Sequence, residues 1–126
     1  MTPILVDTSV WVDHFRAHNT GLVSLLGMDR VMMHPMVLGE LACGTPPSRT
    51  QTLRDLGRLQ QMPQANLREV LAFIEQERLF GLGCGLVDLS LLASTLMTPG
   101  AELWTLDRRL GDLAQRFGVT YRPPIH

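Results

Sequence analysis

Ile4-Leu5-Val6-Asp7-Thr8-Ser9 is the stretch that decides the fold. Three consecutive apolar residues predict a strand buried on both faces, as in a parallel sheet covered by helices. The run then stops on a carboxylate. Asp7 would sit at the carboxyl end of a central parallel strand, the rim where open α/β sheets place ligands. A charge there is costly unless a cation, a proton or hydrogen bonds compensate. Asp7 is therefore a candidate ligand for a divalent metal, and other carboxylates should fall at comparable positions.

Outward from that strand, Thr8 or Ser9 is placed to cap a helix through Val10, Trp11, His14 and Phe15. Asn19-Thr20-Gly21 interrupts it, and a short helix over Leu22 to Leu26 ends at Gly27. Val31-Met32-Met33 predicts a second strand. Pro35 opens a helix with Val37, Leu38, Leu41 and Ala42 on one face, stopped by Gly44-Thr45-Pro46-Pro47. A helix from Arg49 to Leu59 follows, then a break at Met62-Pro63. Asn66 with Glu69 is a capping-box signal for a helix with Leu67, Val70, Leu71 and Ile74 on its apolar face.

Gly81, Gly83 and Gly85 predict a flexible loop. Leu89, Leu92, Ala93 and Leu96 have helical spacing. Pro99-Gly100 turns into a strand at Leu103-Trp104-Thr105. Leu110, Leu113, Ala114 and Phe117 mark the last helix, with an edge strand expected at Val119-Thr120-Tyr121. Strands alternating with helices imply an α/β fold, its parallel sheet wrapped on both faces. No repeat or linker divides residues 1–126, so one domain is expected.

Composition narrows the function classes. Apolar residues are 45% of the chain, which is globular rather than disordered. No apolar run approaches the roughly 20 residues of a membrane span, and no secretory signal is recognisable. Cys43 and Cys84 lack metal-ligand spacing and are expected as reduced thiols in a cytoplasmic protein. A net charge of −1 gives no global pull toward nucleic acid or membrane. All the non-histidine basic residues are arginine. His14 and His18 share a helix face without a third ligand and are expected at the surface. The glycine loop is not a dinucleotide site, since Leu86 replaces the third glycine and no strand precedes it.

Four acids lie at or beside the apolar framework: Asp7, Glu40, Asp88 and Asp107. Asp7 ends the first strand, and Glu40 lies within the Pro35 helix. Asp88 starts the helix after the glycine loop, and Asp107 follows the last strand. Separations of about 30, 50 and 20 residues suit successive αβ units meeting at one rim. Each has an ordinary alternative: Asp88 and Asp107 are well placed as helix caps, worth about 1 kcal/mol, and Glu40 as a helix-surface residue. Two carboxylates about 4 Å apart repel by about 4 kcal/mol at an effective dielectric of 20. Convergence would therefore require cations, and oxygen ligands suit Mg²⁺ or Mn²⁺ rather than zinc.

Val6-Asp7-Thr8-Ser9-Val10-Trp11, Glu40-Leu41-Ala42-Cys43-Gly44, Asp88 opening a small-residue helix, and Gly100-Ala101-Glu102-Leu103-Trp104-Thr105-Leu106-Asp107 occur in that order. Together they closely resemble the PIN-domain ribonucleases, specifically the VapC toxins of bacterial VapBC toxin–antitoxin pairs. The resemblance runs from Ile4 to about Tyr121. It implies a three-layer α/β/α sandwich with a mainly parallel sheet and Mg²⁺- or Mn²⁺-dependent endoribonuclease activity. Asp7, Glu40, Asp88 and Asp107 match its acidic positions; Thr8 or Ser9, and Thr105, match the hydroxyls that orient them. A homodimer and a small VapB-type antitoxin, whose C-terminal segment covers or enters the site, are also implied. Leu89 stands where these toxins often carry alanine, and Leu110 where phenylalanine is frequent; neither change removes a carboxylate.

In that scheme Asp7 and Asp107 are metal ligands, and Asp88 is a ligand or holds a metal-bound water. Glu40 positions or deprotonates the attacking water. Water attacks phosphorus in line, leaving a 5′-phosphate and a 3′-hydroxyl, so RNA preference rests on fit and contacts rather than on the 2′-hydroxyl. Candidate phosphate contacts are Arg54 with Arg58, and Arg108 with Arg109. Trp11 and Trp104 are expected in the core. Structured RNA such as tRNA is the substrate class the resemblance favours. The alternative is a PIN module that binds RNA or antitoxin without cleaving, and metal-dependent cleavage separates the two.

Overall fold

The computed structural model describes residues 1–124. Its four strands are β1 (Ile4–Val6), β2 (Val31–Met33), β3 (Gln60–Gln61) and β4 (Glu102–Trp104). They form one parallel sheet in the order β3-β2-β1-β4. The helices are α1 (Thr8–Ala17), α2 (Thr20–Gly27), α3 (Pro35–Ala42), α4 (Arg49–Gly57), α5 (Leu67–Glu77), α6 (Leu86–Met97) and α7 (Arg108–Arg116). The architecture is a three-layer α/β/α sandwich, as the resemblance implied.

The burial of β1 explains the order of the sheet. Ile4, Leu5 and Val6 are each 0% exposed, and a strand with no wettable face must lie inside the sheet. It pairs with β2 on one side and β4 on the other. From β1 the chain steps outward to β2 and β3, then crosses to the far side of β1 for β4. That reversal opens a crevice between the carboxyl ends of β1 and β4, where such sheets bind ligands. The register aligns Val6 with Trp104, so Asp7 and Thr105 leave the sheet level with each other.

Local chemistry sets the helix ends. Pro35 occupies the first turn of α3, and the buried His34 caps it by accepting the Met36 N–H at Nδ1, 3.0 Å. Asn19 caps α2 by accepting the Leu22 N–H, so that helix begins at Thr20 rather than Leu22. Asn66 and Glu69 close the expected capping box, at 2.8 and 3.0 Å. Trp11 and Trp104 are buried, as expected.

Several expectations are corrected. The helix α4 ends at Gly57 rather than Leu59, and Gln60–Gln61, for which no element was expected, form a short strand, β3. The expected edge strand at Val119–Tyr121 is a single bridge from Thr120 to Leu103. On α5, Val70 is buried but Leu67 and Leu71 are 59% and 52% exposed. The helix packs on α6 with Val70 buried and Phe73 and Ile74 half-buried against the core, which leaves the other leucines outward. Leu96 of α6 is likewise exposed. Among the described residues, no helix is long and apolar enough to cross a membrane.

Candidate active site

Asp7 occupies the N-cap position of α1, yet its side chain makes no capping hydrogen bond. Thr8 and Ser9, the expected caps, are the first residues of the helix instead. The Asp7 carboxylate is held sideways: Oδ2 accepts from Ser9 Oγ and from Thr105 Oγ1, each at 2.7 Å. Both hydroxyls are themselves fixed by backbone. The Leu106 N–H donates to Ser9 Oγ at 2.9 Å, and the Asp107 N–H donates to Thr105 Oγ1 at 3.0 Å. With their acceptor sides filled, the two hydroxyls give their hydrogens to the same carboxylate oxygen. Asp7 is 4% exposed, and Oδ1 accepts no hydrogen bond among the described residues. One oxygen of this buried carboxylate is thus engaged and the other is left without a described partner.

The other acids come from separate elements. Glu40, on α3, accepts from Thr8 Oγ1 at 2.6 Å, which ties α3 to the start of α1. Thr8 therefore serves Glu40, while Ser9 and Thr105 serve Asp7. Asp88 is not the first residue of its helix. It stands in the first turn of α6 and accepts weakly from the Gly85 N–H, 3.4 Å. Asp107 caps α7, accepting the Leu110 N–H at Oδ1, 2.9 Å. Its capping and site roles are compatible, because capping uses one oxygen.

Electrostatics brings the four together. Burial pushes the Asp88 carboxyl above its ordinary value of 3.8. Asp7 pushes it further, followed by Asp107 and Glu40, while the Gly85 N–H opposes them. Each of the other three acids is thus near enough for Asp88 to feel its charge. Among the described residues, no three His, Cys, Asp or Glu side chains stand together as a group that could hold a metal ion as they are placed. By donor chemistry alone, the four acids are all oxygen ligands, the type that suits Mg²⁺ or Mn²⁺ rather than zinc.

The predicted basic residues separate. Arg109 lies across the glycine loop, against Gly83, beside the acids; Arg108 is exposed nearby on α7. Arg54 is exposed on α4, and Arg58 caps the end of that helix. No described contact brings either to the carboxylates. Beside Thr8 and Glu40 a cavity of about 340 Å³ opens between α1 and the end of α3, with Val12, Phe15, Leu41 and Pro46 in its wall. Cys43 and Cys84 are free thiols; burial first, then Asp88 and Asp107, push Cys84 up to about 11. His18 is exposed and His14 half-buried, with its Nδ1 accepting the Asn19 N–H at 3.1 Å.

Sequence reasoning missed the Leu106 N–H that fixes Ser9 and the packing of Arg109 on Gly83. The glycine at position 83 signalled a close approach without naming the visitor.

No protein-family model matches the chain. It is 46% identical over 116 residues to ribonuclease VapC32 of Mycobacterium tuberculosis, in strains CDC 1551 / Oshkosh and ATCC 25618 / H37Rv alike, covering 92% of this chain and 94% of that protein. Its fold matches a chain in the crystal structure of DNA-bound VapBC from Salmonella typhimurium, with a TM-score of 0.63. That match covers 89% of this chain and 92% of the other at 15% identity.

Proposed function

The chain belongs to the VapC ribonucleases, and from that premise we propose that it is a metal-dependent endoribonuclease acting as the toxin of a toxin–antitoxin pair. The observation that carries this is the Asp7 carboxylate, buried at the end of β1 and held through one oxygen by Ser9 and Thr105, with Asp88 near enough to feel the charges of Asp7, Asp107 and Glu40. Such a cluster is unstable by its own repulsion and becomes useful once a hard cation offsets it.

Asp7 and Asp107, with Asp88, would hold Mg²⁺ or Mn²⁺. When bound, the ion supplies the acidity that makes water a nucleophile near neutral pH and offsets charge on the phosphate. The residues do the rest. Ser9 and Thr105 lock Asp7 with its free oxygen toward the crevice. Glu40, oriented by Thr8, takes the proton of the attacking water. Attack in line on phosphorus expels the 3′-hydroxyl and leaves a 5′-phosphate.

Structured RNA such as tRNA is the proposed substrate, contacted through Arg108 and Arg109 with Arg54 and Arg58 as outer contacts. A VapB-type antitoxin would lay an apolar segment in the cavity beside Glu40 and so close the site. The working form is proposed as a cytoplasmic homodimer of a single-domain chain, checked by sedimentation.

The test incubates purified protein and RNA with Mg²⁺ or with EDTA, alongside Asp7→Asn. Cleavage that needs the metal, is lost in the variant and leaves 5′-phosphates supports the proposal. RNA binding without metal-dependent cleavage would support a non-cleaving module instead.

A further inference from the structure

Gly83 has φ +84°, a conformation that favours glycine, and its bare Cα also leaves room for a neighbouring side chain. A Cβ built there would lie 2.6 Å from Arg109 Cδ, 2.7 Å from Nη1 and 2.9 Å from Cζ. The exposed Arg109 side chain therefore runs across bare backbone. Gly81 is a natural contrast: its φ is +73°, yet a Cβ there meets nothing within 4 Å. Conformation explains Gly81. It explains only half of Gly83.

The place where this happens is chemically specific. Arg109 is on the first turn of α7, two residues after Asp107. Gly85, two residues beyond Gly83, donates its N–H to Asp88. Cys84, between these glycines, feels the charges of Asp88, Asp107, Arg109 and Asp112. The guanidinium thus lies where the segments carrying Asp88 and Asp107 meet. An acidic cluster repels an incoming phosphodiester, and a cation fixed at its edge counters that repulsion. A guanidinium offers planar paired donors matched to phosphate oxygens.

We propose that Gly83 positions Arg109, and that the guanidinium so held engages an RNA phosphate entering beside Asp88 and Asp107. This rests on the nuclease function proposed above, and it singles out one arginine of the four together with the residue that places it.

Binding of a fluorescein-labelled tRNA-like hairpin RNA, whose loop is single-stranded, is measured by anisotropy across a salt series. Ca²⁺ replaces Mg²⁺, and RNA integrity is checked on a gel. Arg109→Ala is expected to weaken binding about tenfold, as for loss of a charge-assisted hydrogen bond. It should also flatten the salt dependence by about 0.7 in log–log slope, one phosphate contact on a single strand. Gly83→Ala should give the same two changes, and the double variant should bind no worse than either single one. Gly81→Ala, with comparable backbone strain, should bind like the unsubstituted chain. Thermal melts of all the variants separate folding from binding.

If Gly83→Ala binds RNA as Gly81→Ala does, the positioning role is wrong. If Arg109→Ala melts lower but keeps its RNA affinity and salt slope, Arg109 is a structural clamp and the proposal fails. Either result with an unsubstituted chain that still cleaves RNA leaves the nuclease proposal standing. An unsubstituted chain that neither binds nor cleaves RNA overturns both.

Discussion

Ser9 and Thr105 direct both hydroxyl hydrogens to one oxygen of Asp7, and this explains why a helix begins with its natural cap turned away. An aspartate at that position ordinarily contributes about 1 kcal/mol by capping; here it forgoes that role and accepts from Ser9 and Thr105 instead. Ser9→Ala or Thr105→Val should lower metal affinity or cleavage by about 10- to 100-fold, the usual effect of removing a group that orients a ligand. Circular dichroism should show the fold intact. His34 makes a different prediction. Burial lowers its pKa from the ordinary 6.5, and its Nδ1 must stay unprotonated to cap α3. The unfolded chain therefore binds the proton more readily than the folded one. The stability His34 contributes is present above about pH 6.5 and lost as pH falls through the folded value. Urea unfolding at stepped pH should show this loss, and His34→Asn, which retains a capping side chain, should reduce its slope.

At the scale of elements, the best-written signal in the chain is the capping box of α5. Asn66→Ala should cost about 1 kcal/mol, read as a lower urea midpoint with an unchanged slope. Elements with that kind of local signature were legible. The apolar run of β1, the Pro35 start of α3 and the Asn66–Glu69 pair all predicted structure that is present. Elements defined by a neighbour were not. Gln60 and Gln61 are polar and exposed, and they become β3 only because Met32 and Met33 present a free edge. Leu67 and Leu71 belong to the periodic pattern of α5, but α6 covers only part of that face. The site divides the same way. The places of Asp7 at the end of β1, Asp107 after β4 and Asp88 near the start of α6 were legible. The pairing of Thr8 with Glu40 rather than Asp7, and the Leu106 N–H behind Ser9, depend on how α1, α3 and β4 meet in space.

For the whole molecule, the sheet order β3-β2-β1-β4 sets Asp7 and Asp107 at the carboxyl ends of neighbouring strands, and a cation is proposed to offset the acids there. Asp88 illustrates the sign. Its pKa is raised, by burial first and then by Asp7, Asp107 and Glu40. Its favourable contribution is therefore complete below the ordinary value of 3.8 and is lost as pH rises through the folded value. Mg²⁺ or Mn²⁺ should raise the melting temperature at pH 7.5, and progressively less as the pH is lowered through the Asp88 titration. At one hundred times the dissociation constant the stabilisation should be about 2.7 kcal/mol. EDTA should reverse it.

Mn²⁺ binding followed by electron paramagnetic resonance, with Asp7→Asn, Glu40→Gln, Asp88→Asn and Asp107→Asn compared in turn, examines the shared site without involving RNA. The account predicts that the unsubstituted chain takes up Mn²⁺ and that Asp7→Asn and Asp107→Asn each lose most of that binding, with Asp88→Asn also weakened. Mn²⁺ uptake that ignores all four substitutions, or no uptake by the unsubstituted chain, would contradict it.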